Sequence, residues 1–146
     1  CCFVVVRLFQ GDVLAVKNTI EFFEPMRLPK TTPQAKKFNT ATRRLYDDSR
    51  LAEARQCVIS HIAKYRPAKR LTGALGLELV LVYEPTGKHK PGQPYTQKPD
   101  WDNATKLIQD AMAACQFMED DKQVVCAKVT QAYGEPWGLY VKLYEI

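Results

Sequence analysis

The sequence predicts an α/β (α+β) domain, a mixed β-sheet in the element order β-α-β-α-β-β with two helices covering one face. Three observations carry that prediction. Residues 74–84 place Leu75, Leu77, Leu79, Leu81 and Tyr83 on one side of a strand and Val80 and Val82 on the other, and a strand that is apolar on both faces belongs in the middle of a sheet. From Asp102 onward, Ala104, Leu107, Ile108, Ala111, Met112 and Cys115 recur at helical spacing. Alternation returns over residues 123–133 and 137–145, and the short connection Gly134-Glu135-Pro136 predicts that these two strands close the chain as a hairpin.

The remaining elements follow in chain order. Residues 1–17 read as an N-terminal extension, a short apolar strand, a turn at Gln10-Gly11-Asp12 and a second short run, ahead of a single domain over residues 18–146. Residues 19–23 are β-prone and stop at Pro25. Residues 27–44 contain two prolines, many bases and no apolar periodicity, which predicts a basic surface loop. Asp48 or Ser49 caps a helix whose apolar positions are Leu51, Ala54, Val58, Ile62 and Tyr65, with Arg50, Arg55 and Lys64 on the opposite face and Pro67 beyond its end. Residues 85–99 are rich in Pro, Gly and Lys, with Tyr95 as the one packing residue, and predict a loop that is mobile until something binds it.

Composition bounds what such a domain can do. The chain has 146 residues, 46% hydrophobic and 25% charged, enough for one core. No apolar run approaches the ~18 residues of a membrane span. The Val4-Val5-Val6 stretch, broken by Arg7, lacks the features of a secretory signal. The five cysteines are odd in number and show no CxxC spacing, against both a disulfide framework and a zinc site, so the expectation is reduced thiols in a soluble cytoplasmic protein. The net charge of +5 conceals a segregation: residues 27–70 carry twelve bases and three acids, residues 97–123 six acids and three bases. A basic stretch beside a carboxylate cluster suits a protein that holds a phosphate chain and sets a divalent cation against it. A solvated charged face would leave the same signature.

The sharper signal is Lys98-Pro99-Asp100-Trp101-Asp102-Asn103, with Lys106, and Asp120-Asp121-Lys122-Gln123 beyond the helix. Aspartates without His or Cys form a magnesium-type donor set, and Lys106, four residues after Asp102, shares its side of the helix. Each residue also has a structural reading. Asp100 or Asp102 serves as a helix cap, Lys106 as a surface ion pair with Asp102 or Asp110, and Asp120 and Asp121 as turn residues. His61 and His89 have no partner at ligand spacing and receive no function. A helix from about residue 103 to 115 is roughly 20 Å long, so spacing alone does not bring its two ends together.

These motifs resemble the RusA-type Holliday junction resolvases, the crossover junction endodeoxyribonucleases of bacteria and their phages. The likeness spans about residues 18–146. It rests on Asp100, Asp102 and Asn103 opening a helix, Lys106 four residues on, Asp110 in mid-helix, and Asp120, Asp121, Gln123 and Val124 entering a strand. The basic, tyrosine-containing run Arg43-Arg44-Leu45-Tyr46-Asp47-Asp48-Ser49 is similar to the family's approach to its first helix. Ala104 stands where Leu is common, Cys115-Gln116 where Gly often ends the helix, and residues 1–17 have no counterpart.

The resemblance implies a RusA-like fold and a magnesium-dependent nuclease, Mn²⁺ serving as a substitute. It makes Asp100, Asp102 and Asp121 the catalytic carboxylates that bind the metal, with Asp120 as a neighbouring acid and Lys106 as the essential lysine. It also implies a homodimer that nicks four-way DNA junctions in pairs during recombination and repair, with no small-molecule cofactor and no membrane partner. Arg27, Lys30, Lys36, Lys37, Arg43, Arg44, Lys69, Arg70 and Lys98 are the expected DNA-binding residues. A structure-selective nuclease acting on flaps or forks, and an inactive junction-binding protein, are the alternatives.

Overall fold

The computed structural model describes residues 18–31, 36–47 and 49–146. The expected strands and turn of residues 1–17, and Asp48 as a cap, lie outside them. The elements are β1 (Thr19–Pro25), β2 (Lys36–Asn39), β3 (Arg44–Asp47), α1 (Ser49–Ile62), β4 (Leu75–Tyr83), α2 (Trp101–Ala114), β5 (Val124–Tyr133) and β6 (Gly138–Glu145). Short 3-10 turns occupy Ala63–Tyr65 and Asp121–Gln123.

Four strands form the main sheet in the order β1-β6-β4-β5. As expected, β4 is central, parallel to β5 and antiparallel to β6. The reason lies in its sequence. Leu75, Leu77, Leu79 and Leu81 are buried on the face that α1 and α2 cover, where they meet Leu51, Val58 and Ile62 of α1 and Leu107, Ile108 and Met112 of α2 in one core. Burying a leucine contributes about 1.5–3 kcal/mol, so the run that buries most takes the middle of the sheet.

The final pair of strands departs from expectation. β5 and β6 are not a hairpin, because β4 lies between them. The 134–137 connection crosses the end of β4, and the Gly134 amide donates to the Tyr83 carbonyl at 3.0 Å. Two strand spacings are about 10 Å, a gap four extended residues span at about 3.3 Å each. A short connection therefore fixed only that the strand ends lie close, not that the strands pair.

The basic segment after β1 is also more ordered than expected, since its later part is the β2–β3 hairpin. Asn39 closes the turn, its side-chain oxygen accepting from the amides of Ala41 (2.9 Å) and Thr42 (3.1 Å), and Arg43 takes a left-handed conformation with φ 51°. The loop over residues 85–99 is likewise fastened, not free. Its backbone exchanges hydrogen bonds with β5 at Gly92–Tyr133, Gln93–Tyr133 and Tyr95–Gln131.

Candidate active site

α2 begins at Trp101, with Asp100 at its N-cap position and Asp102 in its first turn. The Asp100 carbonyl accepts from the Ala104 amide at 3.0 Å, but its carboxylate makes no capping bond. Neither Asp100 nor Asp102 has a side-chain hydrogen bond or ion pair among the described residues, and both are exposed, as is Trp101 at 59%. Two carboxylates without protein partners therefore flank an exposed indole at the positive end of a helix.

The other end of α2 explains how Asp121 reaches it. The Phe117 amide donates to the Met112 carbonyl and the Gln116 amide to that of Ala113, both at 3.0 Å, with Gln116 left-handed at φ 62°. This is a Schellman stop with glutamine where glycine is usual. It turns the chain sharply, and Phe117 and Met118, both fully buried, pin it against the core. The returning chain brings Asp121 against Lys106, whose ammonium donates to one of its oxygens and lies 3.2 Å from Asp110. The bond from Lys106 holds the Asp121 carboxyl below the usual carboxylate range, and the same bond raises the Lys106 ammonium.

Asp120 is turned to a different task. Its carboxylate accepts from the Lys122 amide at 2.9 Å, while Gln123 accepts from the amides of Glu119 and Asp120, a capping box that shapes the entry into β5. The structure thus unites Lys106, Asp110 and Asp121, and leaves Asp100 and Asp102 as a separate pair earlier on the helix. Among the described residues no three His, Cys, Asp or Glu side chains are grouped closely enough to hold a metal ion. The chemistry of the donors still suits a hard cation: two unengaged carboxylates match the one or two that Mg²⁺ draws from a protein before completing its shell with water and phosphate oxygens.

A cleft of about 720 Å³ reaches Lys98, two residues before Asp100, though neither Asp100 nor Asp102 lines it. Arg27, Lys30 and Lys98 line it, with an inner wall of Tyr83, Tyr95, Tyr133 and His89. Arg27 is paired with Glu84 at 2.7 Å. His89 stacks on Tyr133 with 4.5 Å between ring centroids. The Tyr95 hydroxyl donates to the Lys98 carbonyl, and Gln131 donates to the Pro99 carbonyl at 3.2 Å, so the approach to Asp100 is held from two directions. Lys69 and Arg70 are exposed on another side, Arg70 being 4.0 Å from Glu119 near the Asp121 turn. Lys36, Lys37 and Arg44 lie on the β2–β3 hairpin and Arg43 is exposed in its turn. Basic residues therefore stand near both groups of acids.

Sequence reasoning missed this aromatic wall and a second cluster. Glu24, 3% exposed on the core side of β1, meets His61 Nδ1 (3.0 Å), Lys64 Nζ (2.8 Å) and the Tyr65 hydroxyl (2.9 Å). Its partners lie 37 to 41 residues away, beyond the reach of any spacing rule. Burial pushes the Glu24 carboxyl up, but the bonds from Lys64, His61 and Tyr65 outweigh it and hold the group below its ordinary value. No helix among the described residues is long and apolar enough to cross a membrane.

No curated protein matches the chain. A family model does, endodeoxyribonuclease RusA, over residues 25–144, a range that includes β1's end, both helices, the unpartnered aspartates and the Lys106–Asp121 pair. With that match across most of its length, the chain belongs to the RusA endodeoxyribonuclease family.

Proposed function

We propose that this endodeoxyribonuclease resolves four-way DNA junctions by paired nicks, in recombination and repair, using Mg²⁺ or Mn²⁺. The observation that carries the reading is the pair Asp100 and Asp102, without side-chain partners among the described residues, on the segment that follows Lys98 out of a basic, aromatic cleft. Two neighbouring carboxylates left bare repel each other, a repulsion that a bound cation relieves, and Asp121 is the third donor. A bound divalent cation supplies an activated water and offsets charge on the phosphodiester. Lys106 holds Asp121 in place and carries positive charge to the side of the helix that bears Asp102. Arg27, Lys30, Lys98, Lys69, Arg70 and the bases of the β2–β3 hairpin grip phosphates on either side, and no small-molecule cofactor takes part. A junction of two-fold symmetry calls for two equivalent sites, which a homodimer presents.

The test is cleavage of a synthetic four-way junction, with linear duplex and flap controls, in Mg²⁺ and in EDTA, by the wild type and Asp102→Asn. Paired symmetric nicks that require Mg²⁺ and vanish in the variant support the reading. Equal cutting of all three DNAs removes the junction from it, and tight binding without nicking makes this a junction-binding protein.

A further inference from the structure

The carboxyl ends of β4 and β5 hold more than the carboxylate site uses. These strands are the parallel pair of the sheet, and their last residues, Tyr83 and Tyr133, stand opposite one another. The loop over residues 85–99 leaves β4 here on its way to α2. It lays Tyr95 against Tyr83 and His89 against Tyr133, the latter two rings only 5° from parallel. Tyr95 and Tyr133 meet at 5.1 Å between centroids, so the four rings form one continuous chain from Tyr83 to His89. The crevice beyond the carboxyl ends of parallel strands is where open α/β sheets take ligands. Here that crevice is the cleft of about 720 Å³, within the roughly 300–1,000 Å³ of small-ligand pockets.

Packing accounts for only part of this wall. The hydroxyls of Tyr83 and Tyr95 are engaged, one accepting from Gln131 at 3.0 Å and the other donating to the Lys98 carbonyl. Tyr133 is different. It is 3% exposed and lines the cleft, yet its hydroxyl makes no hydrogen bond among the described residues and is not sealed from the cavity. A phenylalanine would pack as well at no polar cost, so this hydroxyl is a donor and acceptor held in reserve for an occupant. His89 ends the chain of rings, half-buried, with one face of its imidazole on Tyr133 and its side chain lining the cleft. At the rim, Lys30 and Lys98 have no acid partner among the described residues, and Glu84, the one acid in the lining, is tied to Arg27. Three bases against one acid leave the mouth positive around an aromatic floor.

We infer that this cleft seats one unpaired nucleotide of the DNA, its base stacked on His89 to extend the chain of rings, the Tyr133 hydroxyl bonding it, and its phosphate held by Lys30 and Lys98. Aromatic surface inside a basic rim is the arrangement that holds single-stranded nucleotides without help from pairing. A base inside a duplex has both faces covered and its edge paired, whereas one at a branch point or bulge turns out at little cost. Lys98 precedes Asp100 by two residues, at most about 7 Å of chain, so the seated nucleotide is a near neighbour of the phosphate presented to the carboxylates. The inference rests on the DNA substrate of the nuclease reading and adds a reason for that nuclease to choose branched DNA. Its test reads binding without cleavage, so the cleft can fail while the carboxylate site stands, and the reverse.

That test is fluorescence anisotropy in EDTA on the full chain, with two labelled duplexes that differ at one position, a bulged nucleotide in one and a bulged abasic residue in the other. The wild type is expected to bind the bulged base about tenfold more tightly than the abasic residue, the scale of a single aromatic stack. His89→Ala should bring that ratio close to one, and Tyr133→Phe, which keeps the ring, should lower it about threefold or more. Both variants are checked for native circular dichroism, and a ratio taken within each protein is untouched by a general loss of phosphate grip. A wild type that does not distinguish the two duplexes, or either variant keeping the full ratio, would overturn the inference. So would saturable binding of free deoxynucleoside monophosphates by a chain that ignores the bulged base, a result that gives the cleft to a free ligand.

Discussion

The ring of Tyr95 lies flat on that of Tyr83, with 3.7 Å between centroids and 12° between planes, and its hydroxyl bonds the backbone two residues before Asp100. A loop without regular structure thereby acquires a fixed end where it delivers the first carboxylate. Tyr95→Phe removes only the hydroxyl bond and should cost about 1 kcal/mol, whereas Tyr95→Ala removes the stack as well and should cost about 3 kcal/mol. Thermal melts read the stability, and single-turnover cleavage should show Tyr95→Ala slowed by more than its loss of folded protein explains.

The side chains of Asp100 and Asp102 make no hydrogen bond or ion pair among the described residues. Asp100→Asn and Asp102→Asn should therefore melt within about 1 kcal/mol of the wild type, the small loss at Asp102 coming from the helix dipole. Nicking should fall at least a hundredfold in either. Binding to DNA in EDTA, measured by gel shift, should hold or tighten because a negative charge has been removed beside the phosphates.

Lys106 is half-exposed between Asp110 and Asp121. Replacing it with Met leaves the two acids facing solvent, so stability should change by no more than about 1 kcal/mol. Cleavage should drop by about a hundredfold or more. Lys106→Arg keeps the charge but cannot place it identically, and partial recovery of the rate in Arg over Met would separate charge from position.

Glu24 gives the fold an acid limit. Its folded carboxyl is held below the unfolded value of 4.5, so its contribution is complete above that value and is lost as pH falls through the lower, folded one. Glu24→Gln should flatten the decline in melting temperature below about pH 4.5 relative to the wild type, and at pH 7 should cost on the order of 2 kcal/mol as charged hydrogen bonds become neutral.

Gln116 occupies a left-handed position at φ 62°, which costs a residue with a side chain about 1 kcal/mol. Gln116→Gly should raise stability by up to that amount in a denaturant titration, without touching the acids. No gain would mean the side chain has compensating contacts.

Much of this molecule was written locally. The leucine alternation of β4 and the 3.6-residue period of α2 needed only neighbours a few positions away, and both were legible. The unread parts depend on distant partners. Strand order turned on which run buried most, which placed β4 between two strands that a short connection made look adjacent. The β2–β3 hairpin rests on one asparagine turn inside a segment whose composition reads as loop. Asp121 meets Lys106 because a glutamine adopts a glycine conformation and two buried residues fold the chain back, a route that spacing cannot reveal. The aromatic wall and the Glu24 cluster join residues dozens of positions apart.

β1 pairs along its whole length with β6, from Thr19 opposite Tyr144 to Pro25 opposite Gly138. During translation the earliest strand of the sheet therefore waits for the last, and everything between them must be synthesised before the edge can close. A stop codon shortly before residue 138 would remove two strands from the sheet instead of one, exposing β4 on the side where β6 belongs. Such a truncated product would keep every acidic residue of the candidate site and still be a target for proteolysis rather than a nuclease.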